Sequence, residues 1–234
     1  MWYSIIKLET SRFGYTVLFN FQEVPVFINR EESRTKKRNR QRILAAARGL
    51  ILEKGLHSTT MQDIADEAQV ERRTLYNYYD NMELLAMDIQ VDYLNALNDA
   101  WIEVDTSLSG FDQARMLITS FCDFCIDHPD MINFTVQFDH YFRDSYNNAE
   151  YEMFMKNHIS RNSDFSKALK KGMADGSVFL DPHLVDKTAN TIIQSIMGLA
   201  QRIIYRENIY KKEHNMDRED IRLIVDVILF GLKG

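Results

Sequence analysis

Proline is almost missing from this chain: 234 residues hold three, at positions 25, 129 and 182. A ring nitrogen inside a helix removes a hydrogen bond and clashes with the preceding turn, so a chain so poor in proline is free to run in long helices. Cysteine is as scarce, with two residues. That excludes a disulfide framework and agrees with a reducing, cytoplasmic setting. No uncharged apolar run reaches the roughly 18 residues that a membrane span requires. The opening segment contains Lys7 but no clean apolar block before a small-residue cleavage site, so no signal peptide and no membrane partner are expected. Also absent are a P-loop, a G-x-S-x-G elbow, an H-E-x-x-H pair and paired E-x-x-H ligands. Neither an enzyme nor a bound cofactor is expected, although a helical metalloenzyme built on Asp, Glu and His remains the rival class.

Charge is unevenly spread. The whole chain carries 28 Lys/Arg and 34 Asp/Glu, a net −6, yet residues 30–82 hold 11 basic and 8 acidic side chains. Arg34, Lys36, Lys37, Arg38, Arg40, Arg42 and Arg48 follow one another with no acid between them. Such a run can be a solvated helix face. Set on an acidic body, it also suits a small nucleic-acid-binding module joined to a larger domain with another task.

Apolar spacing makes the fold class all-α. Ile43, Leu44, Ala47, Leu50 and Ile51 mark one buried helical stripe, closed by Gly55. Thr59-Thr60-Met61-Gln62 offers a capping box with a threonine cap and Gln62 three residues on. Asp80-Asn81-Met82-Glu83 offers another, opening a long helix toward Trp101 that fails near Gly110. Further helices are expected over 111–127, stopped by Pro129, and over 131–141, 151–174, 182–206 and 218–232. Asp181-Pro182 is a good entry to the fourth of these. Tyr15, Val17, Phe19 and Phe21 alternate with Thr16, Leu18, Asn20 and Gln22 in a strand-like way. The expected organisation is an N-terminal extension over 1–33, whose order depends on finding something to pack on, a DNA-binding domain over 34–81 and a helical body over 82–234.

Ile64, Ala65, Ala68, Val70, Leu75 and Tyr78 fall where a helix-turn-helix packs two short helices across a tight turn. Ala65 sits at the closest approach and Leu75 fills the angle. Ala45-Ala46-Ala47, Gly55, Thr59-Thr60, Asp63-Ile64-Ala65, Ala68, Val70, Thr74-Leu75-Tyr76, Tyr78-Tyr79 and Glu83-Leu84-Leu85 together closely resemble the DNA-binding domain of the tetracycline-repressor (TetR) family of transcription regulators. The resemblance implies that Thr59, Thr60, Lys37, Tyr76, Tyr78 and Tyr79 meet the DNA backbone, and that Arg72, Arg73, Thr74 and Asn77 present side chains to base edges. The chemistry agrees, since arginine suits guanine, asparagine suits adenine and hydroxyls suit phosphates. Three residues depart from the family's habit: Gln69 at the usual turn glycine, Arg73 where glycine is frequent, and Met82 where a phosphate-binding lysine is frequent. Gln69 is expected to take a left-handed backbone at about 1 kcal/mol.

The resemblance further implies a homodimer on palindromic double-stranded DNA, acting as a repressor released by a small apolar or aromatic ligand. Phe121, Phe124, Phe138, Tyr141, Phe142, Phe154 and His158 are candidate ligand-site residues; equally they could be ordinary core. Ile192, Ile196, Ile203, Ile224 and Ile228 are the candidate dimer residues, because both terminal helices look apolar on more than one face. Cys122-x-x-Cys125, with His128 three residues on, has the spacing of a thiol sensor but lacks the second ligand pair of a zinc site, so no metal is expected. An alternative regulator acts through protein partners or thiol oxidation in place of a small-molecule inducer.

Overall fold

A computed structural model of the chain describes residues 9–10, 15–17, 27–29, 34–100, 102–144 and 163–233. A small antiparallel sheet comes first, with β1 (Glu9–Thr10), central β2 (Tyr15–Val17) and β3 (Phe27–Asn29). The alternation expected at Tyr15 to Phe21 is a strand over 15–17, and residues 18–22 lie outside those described. The longer described elements that follow are helices: α1 (Arg34–Lys54), α2 (Met61–Glu67), α3 (Arg72–Tyr76), α4 (Met82–Ala100), α5 (Gly110–Asp127), α6 (Pro129–Tyr141), α7 (Ser163–Asp175), α8 (Val185–Tyr205), α9 (Glu207–His214) and α10 (Ile221–Leu232). Among the described residues no helix is long and apolar enough to cross a membrane.

Helix starts moved by a residue where the sequence offered two caps. The capping box of α2 joins Thr60 to Asp63, not Thr59 to Gln62. Thr59 is occupied elsewhere, its hydroxyl donating to the Gly55 carbonyl at 2.8 Å. At α4 the Asn81 side chain, not Asp80, accepts from the Leu84 amide at 2.9 Å. Ser109 caps α5, so Gly110 opens that helix instead of breaking the chain before it. Gly110 is also where α5 crosses α7: a Cβ there would stand 1.9 Å from the Gly172 nitrogen. Pro129 both follows the end of α5 and occupies the first position of α6, where its missing N–H is harmless. Asp181 accepts from the His183 amide and leads through a short 3₁₀ turn into α8. Of the helix expected over 151–174, the described part is Ser163–Asp175. Helix α9 was not foreseen; it is polar, buries none of its residues deeply and ends at left-handed Asn215 (φ 51°).

Two hydrophobic cores form. Ala114, Leu117, Ile118, Phe121, Phe165, Leu169, Ile196, Ala200 and Ile203 lie in the body core. Ile43, Ile64, Ala65, Leu75, Leu85, Ile89 and Tyr93 form the head core, which α6 joins with Phe134, Phe138 and Phe142. Those three lie one turn apart on one face of α6, while Ile132 faces the body. Helix α4 divides similarly, with Leu85, Ala86 and Ile89 in the head core and Leu97 against the body core. The head is therefore seated on α4 and α6 rather than tethered by a loop.

Candidate nucleic-acid interface

The helix-turn-helix is built as its spacing required. Ile64, Ala65 and Leu75 are wholly buried, and Gln69 between the helices has φ 52°, the left-handed turn expected of it. Asp63 accepts from the Thr60 amide at 2.9 Å and pairs with Lys54 at 2.7 Å. The Lys54 bond first, and those from Thr60 second, hold its carboxyl down to about 2.

On α3, Arg72, Arg73 and Tyr76 are exposed and Thr74 is partly so, and Asn77, which caps its end, is exposed too. The Arg72 guanidinium lies 5.5 Å over the Tyr76 ring, one turn further along the same face. Lys37 is exposed in the first turns of α1. Those turns are tied to the end of α3 by Tyr78, whose hydroxyl donates to the Lys36 carbonyl at 3.3 Å. Thr60 is exposed at the start of α2. The candidates Lys37, Thr60, Arg72, Arg73, Thr74, Tyr76, Asn77 and Tyr78 thus all retain solvent-accessible surface on the head.

Thr59 and Tyr79 do not belong with them. Both are 6 % exposed. The Thr59 hydroxyl serves Gly55, and the Tyr79 hydroxyl donates to Asp88 Oδ2 on α4 at 2.5 Å. Asp88 also receives Arg40 Nε at 3.0 Å and Nη2 at 2.5 Å. One turn further, Asp92 pairs with Arg48, whose guanidinium also covers the Tyr93 ring at 5.2 Å. Arg40 and Arg48 are structural clasps between α1 and α4, which the run of basic residues alone did not distinguish from DNA-facing cations.

The head meets α6 through polar contacts as well. Gln137 Oε1 accepts from the Leu56 amide at 2.8 Å. The His57 ring lies 5.3 Å from that of His140 and 4.9 Å from that of Tyr141. Tyr141 donates to Glu83 Oε1 at 3.1 Å, and burial together with that carboxylate pushes its phenol up to about 12.

The candidate ligand residues are not brought together. Phe121 belongs to the body core, whereas Phe138 and Phe142 belong to the head core. Phe124 is buried and stacks on His128 at 4.3 Å. Tyr141 serves the head junction, and Phe154 and His158 lie outside the described residues. A shallow groove of about 610 Å³ runs along the outer face of α8 and another of about 350 Å³ lies between α6 and α8, and none of these aromatics lines either. Cys122 and Cys125 are buried free thiols, raised by desolvation to about 11 and about 12. Among the described residues no three His, Cys, Asp or Glu side chains gather as metal ligands.

The candidate dimer residues divide as well. Ile192, Ile196 and Ile203 are buried in their own body core, and Ile224 and Ile228 are partly buried against it. The outward face of α8 is polar, with Lys187, Asn190, Gln194 and Ser195. Tyr205 at the end of α8 is exposed, and α10 exposes Leu223, Val227 and Phe230, at 59 %, 66 % and 86 %.

A helix-turn-helix head with an open reading helix, seated on a helical body, defines a DNA-binding regulator. Residues 43–88 match the model of the family described as bacterial regulatory proteins, tetR family. The fold of the whole chain is similar to that of a tetR-family bacterial regulatory protein from Rhodococcus RHA1, at 17% identity and a TM-score of 0.65, covering 86% of this chain and 98% of that one. It is similar too to the ketosteroid transcriptional regulator KstR2 of Mycobacterium tuberculosis (17%, TM-score 0.60, 88% and 97% covered). The fatty acid degradation regulator FadR from Bacillus halodurans gives 16% and 0.58, with 86% and 97% covered. No curated protein matches the chain. Residues 43–88 thus resemble bacterial regulatory proteins of the tetR family, and the chain shares the fold of these solved regulators.

Proposed function

We propose that the protein is a homodimeric, cytoplasmic repressor that reads a palindromic operator with α3 and leaves it when a small apolar or aromatic ligand binds the body. The observation that carries the DNA-reading part is the set of solvent-facing side chains on α3 beside the exposed cation Lys37, with Tyr78 tying the two helices together. In this reading Arg72, Arg73, Thr74 and Asn77 address base edges in the major groove. Lys37, Thr60, Tyr76 and Tyr78 hold the phosphates and set the register.

Helix α4 supports the release step, because one end of it is core to the head and the other packs on the body. A ligand that tilts α4 changes the separation of two heads that must enter successive major grooves about 34–36 Å apart. A 100-fold preference for the splayed form shifts the equilibrium by about 2.7 kcal/mol. An apolar ligand suits the body's apolar core, and two similar folds belong to a ketosteroid regulator and a fatty acid degradation regulator. The thiol-oxidation alternative is disfavoured by the burial of both cysteines.

The test is to select duplexes from a random-sequence pool and compare base preferences. Arg72→Ala and Arg73→Ala should each weaken the preferred duplex by about 1–3 kcal/mol and relax preference at particular bases. Tyr76→Phe and Lys37→Ala should weaken all duplexes evenly. Unchanged base preferences in both arginine variants would sink the assignment of α3 as the reading helix.

A further inference from the structure

The turn of the helix-turn-helix holds itself only in part. The Gln69 amide donates to Asp66 O at 3.1 Å and the Val70 amide to Ala65 O at 3.0 Å, the two backbone bonds of a Schellman ending. That ending places its pivot residue in the left-handed region, which glycine enters freely and a residue with a side chain rarely does. Gln69 is there at φ 52°. The last carbonyls of α2 remain in need of donors. Arg42 supplies one from α1: its Nη2 donates to Ala68 O at 2.6 Å and reaches Gln69 O at 3.4 Å. A guanidinium is also the favoured partner for the negative end of a helix. Helix α1 is itself clasped to α4 through Arg40–Asp88 and Arg48–Asp92. Among the described residues Arg42 has no carboxylate partner, so of these three arginines it alone is spent on the turn. Glu71 caps α3 two residues beyond Gln69, and its carbonyl accepts from Leu75 at 3.1 Å. The setting of the turn is therefore the setting of α3.

We propose that Arg42 is a positioning residue for DNA reading: its bridge to the Ala68 and Gln69 carbonyls holds the turn in a geometry that Gln69 by itself disfavours, and so fixes the angle of α3. The inference rests on the DNA-reading function proposed above. It carries two consequences that a phosphate-contacting arginine does not share. Glycine at position 69 should make Arg42 dispensable, and removal of Arg42 should leave the salt dependence of binding unaltered.

The experiment uses the full-length protein, its R42A, Q69G and R42A/Q69G variants, and a duplex recovered by the wild type from a random-sequence pool. R42A should bind that duplex roughly ten-fold more weakly, the size expected on losing a charged hydrogen bond. Its slope of log affinity against log salt should match that of the wild type. Q69G should bind within about two-fold of the wild type, and the double variant should recover most of the loss. In the protein without DNA, the Gln69, Val70 and Leu75 amides should exchange faster in R42A and return toward wild-type rates in R42A/Q69G. A slope reduced by about one unit would make Arg42 a phosphate contact and overturn the inference. So would wild-type affinity and exchange in R42A, or no recovery on adding Q69G. If R42A fails to fold, a folded double variant supports the bridge and an unfolded one overturns it. If the wild type recovers no duplex, the DNA-reading function fails, and amide exchange still decides the role of Arg42.

Discussion

Replacing Phe230 with aspartate should break a dimer without unfolding the protomer. Phe230 lies one turn beyond Val227, itself one turn beyond Leu223, and the three share a face of α10 that their own protomer leaves 86 %, 66 % and 59 % exposed. Fully burying such side chains is worth about 1.5–3 kcal/mol each, so covering the exposed shares contributes roughly 4–5 kcal/mol per protomer and about twice that across a two-fold axis. Aspartate at 230 removes roughly 2 kcal/mol of that burial on each side and also strands a carboxylate in an apolar seam. A loss of about 4 kcal/mol or more raises the dimer dissociation constant on the order of a thousandfold. Exposed positions change protomer stability by only about 0.5 kcal/mol, so the dissociated chain should keep its helical spectrum. Ile224 and Ile228 are poorer probes, since they also pack on their own core. Sedimentation equilibrium of both proteins at micromolar concentration is the assay. A wild type that is already monomeric there, or a Phe230→Asp protein as dimeric as the wild type, would refute the reasoning.

Gly110→Ala should destabilise the body, because the new Cβ meets backbone, 1.9 Å from Gly172 N and 2.6 Å from Ala168 O, and α5 must part from α7. A cost of about 3 kcal/mol corresponds to a Tm lower by roughly 6–12 °C, and a melt within about 2 °C of the wild type would contradict the close crossing. Asp63, held down to about 2, contributes stability that is complete above the ordinary carboxylate range and is lost as pH falls from near 4 toward 2. Its side-chain carbon should therefore titrate near 2 by NMR, and a midpoint near 4 would deny the capping box. Burial pushes Cys122 and Cys125 to about 11 and about 12, so at pH 8 a thiol reagent should label neither in the native protein and both after denaturation. Rapid native labelling of either would reinstate a thiol-sensing reading.

Local pattern was enough for the head and for the described helices other than α9, which buries none of its residues deeply. A 3.6-residue apolar stripe such as Ile43, Leu44, Ala47 and Ile51 can be buried only as a helix face, and few prolines interrupt such stripes. The helix-turn-helix was legible because Ile64, Ala65, Ala68 and Leu75 enter one core within a dozen residues, so their spacing is already their geometry. Choices between equivalent neighbours were not legible. Thr59 and Thr60 can each cap a helix, and the Gly55 carbonyl decided between them by engaging Thr59. Tyr78 and Tyr79 differ in fate because only Tyr79 points at Asp88. Burial of Phe121, Phe138 and Phe142 followed from their type, but their division between two cores followed from the crossing of α6 between head and body. The same holds for the terminal helices: isoleucine at 192, 196 and 203 and leucine at 223 are alike in hydropathy, and only the packing of α8 and α10 on α5 set which face turned inward. Arg40, Arg42 and Arg48 read as one basic run, yet partners 44 to 48 residues away hold Arg40 and Arg48, and a backbone turn 26 residues away holds Arg42. Spacing along a chain determines contacts within a few turns of helix. Contacts between distant segments depend on how whole faces fit, and that is settled only when the helices pack.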